Sequence, residues 1–146
     1  LEWGINIDVV IVVESQSVHL KDILLPQVKI LQHTADKQPI EIALNYLVQH
    51  SFDAVNIIGD CEKLYSLLEP FENQLQLVVH NHMSRSYYVN HNFQKWVVAN
   101  VKFEIYPPEN NIYTSGIINQ APYFISECDG IVSFSNKTPF WLVECL

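Results

Sequence analysis

The sequence predicts an α/β N-terminal half with a parallel sheet, followed by an all-β sandwich C-terminal half. Three observations carry this expectation. Short β-branched runs at Asp8 to Val13, Val28 to Leu31 and Ala54 to Ile58 alternate with helical patterns. Such continuous apolar runs mark parallel strands covered on both faces. From His80 onward the helical signal stops, and aromatic and β-branched runs recur at short intervals between turn residues. That texture belongs to sandwiches and partial barrels. Third, each early run ends in a polar turn, at Glu14 to Ser17, Thr34 to Lys37 and Gly59 to Glu62. In parallel sheets ligands bind beyond those carboxyl ends.

The elements follow in order. Leu1 to Gly4 read as the end of a helix, with Gly4 at its C-cap and the opening strand of the domain missing. Asp8 to Val13 is a strand, and Ser17 to Leu25 a weak helix capped by Ser17 and stopped by Pro26. After the strand at Val28 to Leu31 comes the clearest helix. Pro39 suits its first turn, where a missing N–H costs nothing. Ile40, Ala43, Leu44, Leu47 and Val48 recur at helical spacing, and Ser51 to Asp53 breaks the pattern. Ala54 to Ile58 is a strand, Glu62 to Leu68 a helix ended by Pro70, and Leu75 to Val79 the last strand of this half. The second half carries strands at Tyr87 to Val89, Trp96 to Val98, Val101 to Tyr106, Ile112-Tyr113, Tyr123 to Ile125, Ile131 to Phe134 and Phe140 to Val143. The change of texture near Asn73 to His82 places a boundary there, giving domains 1–73 and 74–146.

Composition narrows the function. The chain has 146 residues, of which 49% are hydrophobic and 16% charged, so it folds around a core. Net charge is −8 and Arg85 is the only arginine, which speaks against nucleic acid as a partner. No apolar run reaches membrane-spanning length, so no membrane partner is expected. Cys61, Cys128 and Cys145 show no C-x-x-C spacing and read as buried free thiols of a reducing, cytoplasmic setting. Ser15 and Ser17 lack the surroundings of a nucleophile and read as caps. His80 and His82, two apart, share a face and have the spacing of a metal pair, but no third ligand lies nearby, so a polar turn is the expectation. His33 reads as structural or surface, or as a nucleotide contact. Trp96, Phe140 and Trp141 read as sandwich core or interface, with a ligand-stacking role open to Trp141.

In order and spacing the chain resembles the thiamine pyrophosphokinase family. Gly4-Ile5-Asn6-Ile7-Asp8-Val9-Val10-Ile11 is similar to the family's G-I-x-P-D-x-x-I. Asp36-Lys37 followed by Ile40 to Leu47 is similar to D-K-D-x-T-D-L-E-x-A-L-x-Y. Phe103 to Pro107 and Thr114-Ser115-Gly116 resemble F-S-L-x-P and the T-x-G-L stretch, and Ser135-Asn136 resembles the S-N near thiamine. The resemblance implies an ATP- and magnesium-handling first half, a thiamine-binding second half and a homodimer. It implies Asp36 and Lys37 as nucleotide contacts, Glu14 and Asp36 as magnesium ligands, and Ser135 and Asn136 as thiamine contacts. The sequence also departs from the family. Val12 to Ser17 has no aspartate where G-D-F-D-S is expected, Gln38-Pro39 shortens D-D-T-D, and Asp60 to Leu64 replaces G-G-R-x-D-H. The remaining acidic candidates are Glu14, Asp36, Asp60 and Glu62, and Lys37 and Lys63 supply charge without a guanidinium fork. Pyrophosphoryl transfer depends on electrostatic positioning, so these losses predict weakened catalysis. The alternative expectation is a non-catalytic relative acting as a dimerisation or small-molecule-binding module.

Overall fold

A computed structural model describes residues 6–16, 23–108 and 111–146, with the side chains of residues 61–63 left aside. The expected helix end at Leu1 to Gly4 and most of the expected helix from Ser17 lie outside the described residues. The chain forms two compact units, residues 1–52 and 53–146.

The first unit holds strand β1 (Val9–Val13), a 3-10 turn at Glu14–Gln16, strand β2 (Lys29–His33) and helix α1 (Pro39–Gln49). β1 and β2 pair in parallel, with Val13 opposite His33. α1 begins on Pro39 as expected and buries Leu44. Its end is a Schellman motif: the Ser51 N–H donates to the Val48 carbonyl and the Phe52 N–H to the Leu47 carbonyl. Ser51 takes the left-handed conformation (φ 60°) that glycine usually fills at this position.

The second unit starts with β3 (Ala54–Ile58), α2 (Cys61–Leu68) and a 3-10 turn at Glu69–Phe71. Next come β4 (Gln76–His80), β5 (Ser84–Val89), β6 (Asn92–Val97) and β7 (Lys102–Tyr106). The chain closes with β8 (Tyr113–Ser115), β9 (Ile117–Gln120), β10 (Tyr123–Ser126), β11 (Gly130–Ser135) and β12 (Phe140–Cys145). Seven strands form one sheet in the order β3-β4-β5-β12-β7-β10-β9, and β6-β11-β8 form another.

The expected parallel sheet is therefore corrected. The β1–β2 pair stands as its own two-stranded sheet, and the β3–β4 pair belongs to the seven-stranded one. The hairpin after β4 turns the pairing of the seven-stranded sheet antiparallel. The Asn81 side-chain oxygen accepts from the Met83 and Ser84 N–H groups at 2.8 and 2.7 Å and folds β5 back against β4. The change of texture near residues 73–82 marks this switch from parallel to antiparallel pairing within one sheet.

The sandwich core lies between the two sheets of the second unit. Val89, Phe103, Ile105, Phe140 and Leu142 of the larger sheet meet Val97, Val132 and Phe134 of the smaller. The rings of Phe103 and Phe134 meet across the gap at 5.1 Å, tilted by 58°. Strand periodicity puts Trp141 on the opposite face, where Tyr65 of α2 packs 4.7 Å from it. Of the two expectations for Trp96, core or interface, the core one is not met. Phe93, Lys95 and Val97 share the inward phase of β6, so Trp96 points outward and is 61% exposed. Cys128 and Cys145 are both free thiols, but Cys128 is exposed and Cys145 only half-buried, where buried thiols were expected. Among the described residues no helix is long and apolar enough to cross a membrane.

Candidate functional site

In the first unit the parallel register ends at Val13 opposite His33, so Glu14 and Thr34 each follow the last paired residue of adjacent strands. Glu14 opens the 3-10 turn after β1, and Asp36 and Lys37 sit in the turn after β2. That turn is closed by the Lys37 N–H donating to the Thr34 carbonyl at 3.2 Å. The Thr34 hydroxyl, and then the backbone of Asp36 itself, hold the fully exposed Asp36 carboxyl below its ordinary range. Asp36 is thus a carboxylate at any near-neutral pH. His33 is buried and its Nδ1 lies 2.7 Å from the Thr34 carbonyl, which fixes it as a structural donor that shapes the same turn. Two carboxylate loops and an exposed lysine on adjacent strand ends suit a hydrated divalent cation that takes its other ligands from phosphate. They do not amount to an all-protein cage: among the described residues no three His, Cys, Asp or Glu side chains converge on a point. Asp60 stands at the N-cap of α2 in the second unit. His80 ends β4 and Asn81 caps the hairpin that follows.

Ser135 and Asn136 lie in the second unit, at the end of β11 and in the turn beyond it. The Asn136 N–H donates to the His91 carbonyl, and its side chain closes its own turn by donating to Thr138 Oγ1 and accepting from the Lys137 N–H. Ser135 pairs with Asn92 and shares the outer face of the three-stranded sheet with Ser133 and Gln94. Together these line a groove of about 490 Å³ on that sheet. Its amides and hydroxyls present neutral donors and acceptors, with Trp96 and Ile131 exposed as a cross-strand pair on the same face. A neutral or singly charged heteroaromatic ligand fits that chemistry better than a polyanion does.

Sequence reasoning missed a polar network on the inner face of the larger sheet. Glu144 of β12 is 6% exposed. Its carboxylate takes Lys95 Nζ at 2.7 and 2.6 Å and the Tyr87 hydroxyl at 2.9 Å. Lys95 also donates to the Tyr87 oxygen at 3.1 Å. Burial by itself depresses the Lys95 ammonium, and the bonds to Glu144 and Tyr87 outweigh burial and raise it. The signal was the alternation of β6 and β12, which places Lys95 in phase with Phe93 and Val97, and Glu144 in phase with Phe140 and Leu142.

No family model matches the sequence, and no curated protein matches it. Solved structures do match in fold. A thiamine pyrophosphokinase from Bacillus subtilis superposes with a TM-score of 0.69 at 11% identity, over 97% of this chain and 80% of that one. A thiamin pyrophosphokinase from Geobacillus thermodenitrificans gives 0.61 at 12% identity, covering 92% and 76% of the two chains. The thiamin pyrophosphokinase from Candida albicans gives 0.61 at 9% identity, covering 97% and 75%. At these identities the likeness is one of fold: the chain has a thiamine-pyrophosphokinase-like architecture.

Proposed function

We propose that this chain is a thiamine-pyrophosphokinase-like protein that binds a magnesium–nucleotide triphosphate and thiamine, with pyrophosphoryl transfer weakened. The observation that carries the reading is the fold likeness over 97% of the chain. Glu14 and Asp36 would hold the magnesium, and Lys37 would attract a phosphate oxygen as a point charge. Magnesium, when bound, would neutralise triphosphate charge. Asp36, kept ionised by Thr34, needs no proton loss to act as a ligand. Ser135 and the neighbouring groove would bind thiamine, and the Asn136 turn would set the groove's end. In the transfer the thiamine hydroxyl oxygen bonds to the β-phosphorus, AMP leaves, and the hydroxyl proton passes to solvent. The reading includes a homodimer as the working form.

A second reading is favoured by one observation. With no three-ligand cluster among the described residues, the same chain could serve as a non-catalytic relative that binds small molecules. Two measurements separate the readings. A thermal-shift series with thiamine and with magnesium plus a non-hydrolysable ATP analogue should raise the melting point in each case, since ligands that bind only the native state stabilise it. Asp36→Asn should remove the nucleotide shift and leave the thiamine shift intact. Thiamine-dependent AMP release at high protein concentration then supports the weakened enzyme, and its absence with both shifts present supports the non-catalytic relative. Absence of both shifts defeats the proposal.

A further inference from the structure

The polar network of the second unit runs on from Glu144 towards the carboxyl ends of β3 and β4, and donor geometry fixes its terminus. Arg85 Nε, an obligatory donor, lies 3.3 Å from His80 Nδ1. His80 Nδ1 must therefore accept, which makes the ring the Nε2–H tautomer. His80 Nε2 lies 2.9 Å from the Asn56 side chain, so Asn56 must turn its carbonyl oxygen to the ring. Its NH₂ then faces away from the histidine. At the other end, Glu144 is spent on Lys95 and Tyr87, and approaches Arg85 Nη1 only to 4.0 Å. The chain of partners has used its acceptors. Among the described residues, neither the Nη2 donors of Arg85 nor the Asn56 NH₂ meet a protein acceptor.

Charge points the same way. Among the described residues, the ion pairs of Arg85 and Lys95 both run to Glu144, so two cations share one carboxylate. The spot is open: Ile58 pairs with His80 on this face and is 89% exposed. His80 and Ile58 are the last paired residues of β4 and β3, and Asn56 lies two positions before Ile58 on the same face. We infer that Arg85, oriented by His80, and Asn56 form a binding site for a small oxyanion, a phosphoryl or carboxylate group, with Ile58 as an apolar flank for its organic part. With Nε on His80 and Nη1 on Tyr87, Arg85 offers its Nη2 as a donor that stays charged at any working pH. The site lies in the second unit and does not depend on Glu14, Asp36 or Lys37.

The test is an NMR titration of the full chain with inorganic phosphate, with acetate and with phenyl phosphate, ionic strength held constant with chloride. Saturable shifts of the Arg85 Nε–H and Asn56 NH₂ signals are expected, with at least tenfold weaker binding in Arg85→Gln. Phosphate saturating more tightly than acetate assigns the phosphoryl group, and the reverse order assigns the carboxylate. A lower dissociation constant for phenyl phosphate than for phosphate assigns Ile58 its part. Asn56→Asp, which keeps an acceptor for His80 but repels anions, should abolish the response and covers the case in which Arg85→Gln does not fold. Shifts that stay linear, match those from chloride alone, or survive in folded Asn56→Asp would overturn the inference. Loss of these shifts in Asp36→Asn would also overturn it, because that variant reads the separate nucleotide site.

Discussion

Replacing Lys95 by Met tests how the second unit tolerates a charge inside its sandwich. The ammonium supplies both close contacts to Glu144, at 2.7 and 2.6 Å. Without it Glu144 keeps the Tyr87 hydroxyl at 2.9 Å and Arg85 at 4.0 Å, with 8% of its side chain exposed. Removing one partner of a buried pair costs about 3–5 kcal/mol, because the other charge stays behind without compensation. Lys95 is 29% exposed, so water reaches the vacated space and reduces the cost. A loss of about 2–3 kcal/mol follows, or a midpoint lowered by about 1–1.5 M urea at a slope of about 2 kcal/mol per molar. Tryptophan fluorescence follows the unfolding, since Trp96 and Trp141 both lie in this unit. The double variant Lys95→Met/Glu144→Leu should return to within about 1 kcal/mol of the parent, because an apolar pair of similar volume replaces the ions. A Lys95→Met variant within about 0.5 kcal/mol of the parent, with no coupling in the cycle, would show that the pair is solvated and refute the reasoning. The Lys95 pKa is raised in the fold. Its contribution is therefore complete below the unfolded lysine value and is lost as pH rises through the raised one.

Three further outcomes follow from local geometry. Ser51→Gly should stabilise the first unit by about 1 kcal/mol in denaturant melts, since it relieves a Cβ held in the left-handed region at φ 60°. Gly116→Ala should cost the second unit about 1–2 kcal/mol, because φ is +70° and the added Cβ would lie 3.0 Å from the Ile131 carbonyl oxygen. Around Trp141, burial raises the Glu72 carboxyl despite the bonds from Trp141 and Tyr88, and burial with the Glu72 charge pushes Tyr88 up to about 12. A raised carboxyl contributes stability below its unfolded pKa that is lost as pH rises through the folded value. Glu72→Gln, which keeps an acceptor for the Trp141 N–H, should therefore unfold at higher urea than the parent at pH 7, with the gain shrinking on acidification. Tyr88→Phe should remove a component near pH 12 from an alkaline absorbance titration.

Much of the fold was legible because the strands carry their own phase and punctuation. Pro39 fixed the start of α1, and Ala54 to Ile58 was bounded as observed. β9 was missed, since Ile117–Gln120 carries two polar residues and is short enough to read as part of the turn at Asn119 to Pro122. The division of parallel strands between two sheets was not legible, because an apolar run records burial and not its neighbour. Nor was the Lys95–Glu144 pair. Strand phase turns each side chain inward, but nothing in the sequence joins a lysine and a glutamate nearly fifty positions apart until the two sheets face each other. The loops of Glu14 and Asp36 were legible as strand ends, and their adjacency follows from the β1–β2 register. Ser135 and Asn136 were legible as a turn and, through the resemblance, as ligand candidates, and the groove beside Ser135 needed β6 and β11 to be paired.

Calorimetric titration of the full chain with thiamine, alone and with magnesium and a non-hydrolysable ATP analogue present, addresses the functional account most directly. The account gives saturable heats for both ligands, with the nucleotide heat abolished by Asp36→Asn and by chelation of the metal. Heats no larger than dilution for thiamine and for the nucleotide alike would contradict it, and would leave this architecture as a scaffold put to some other use.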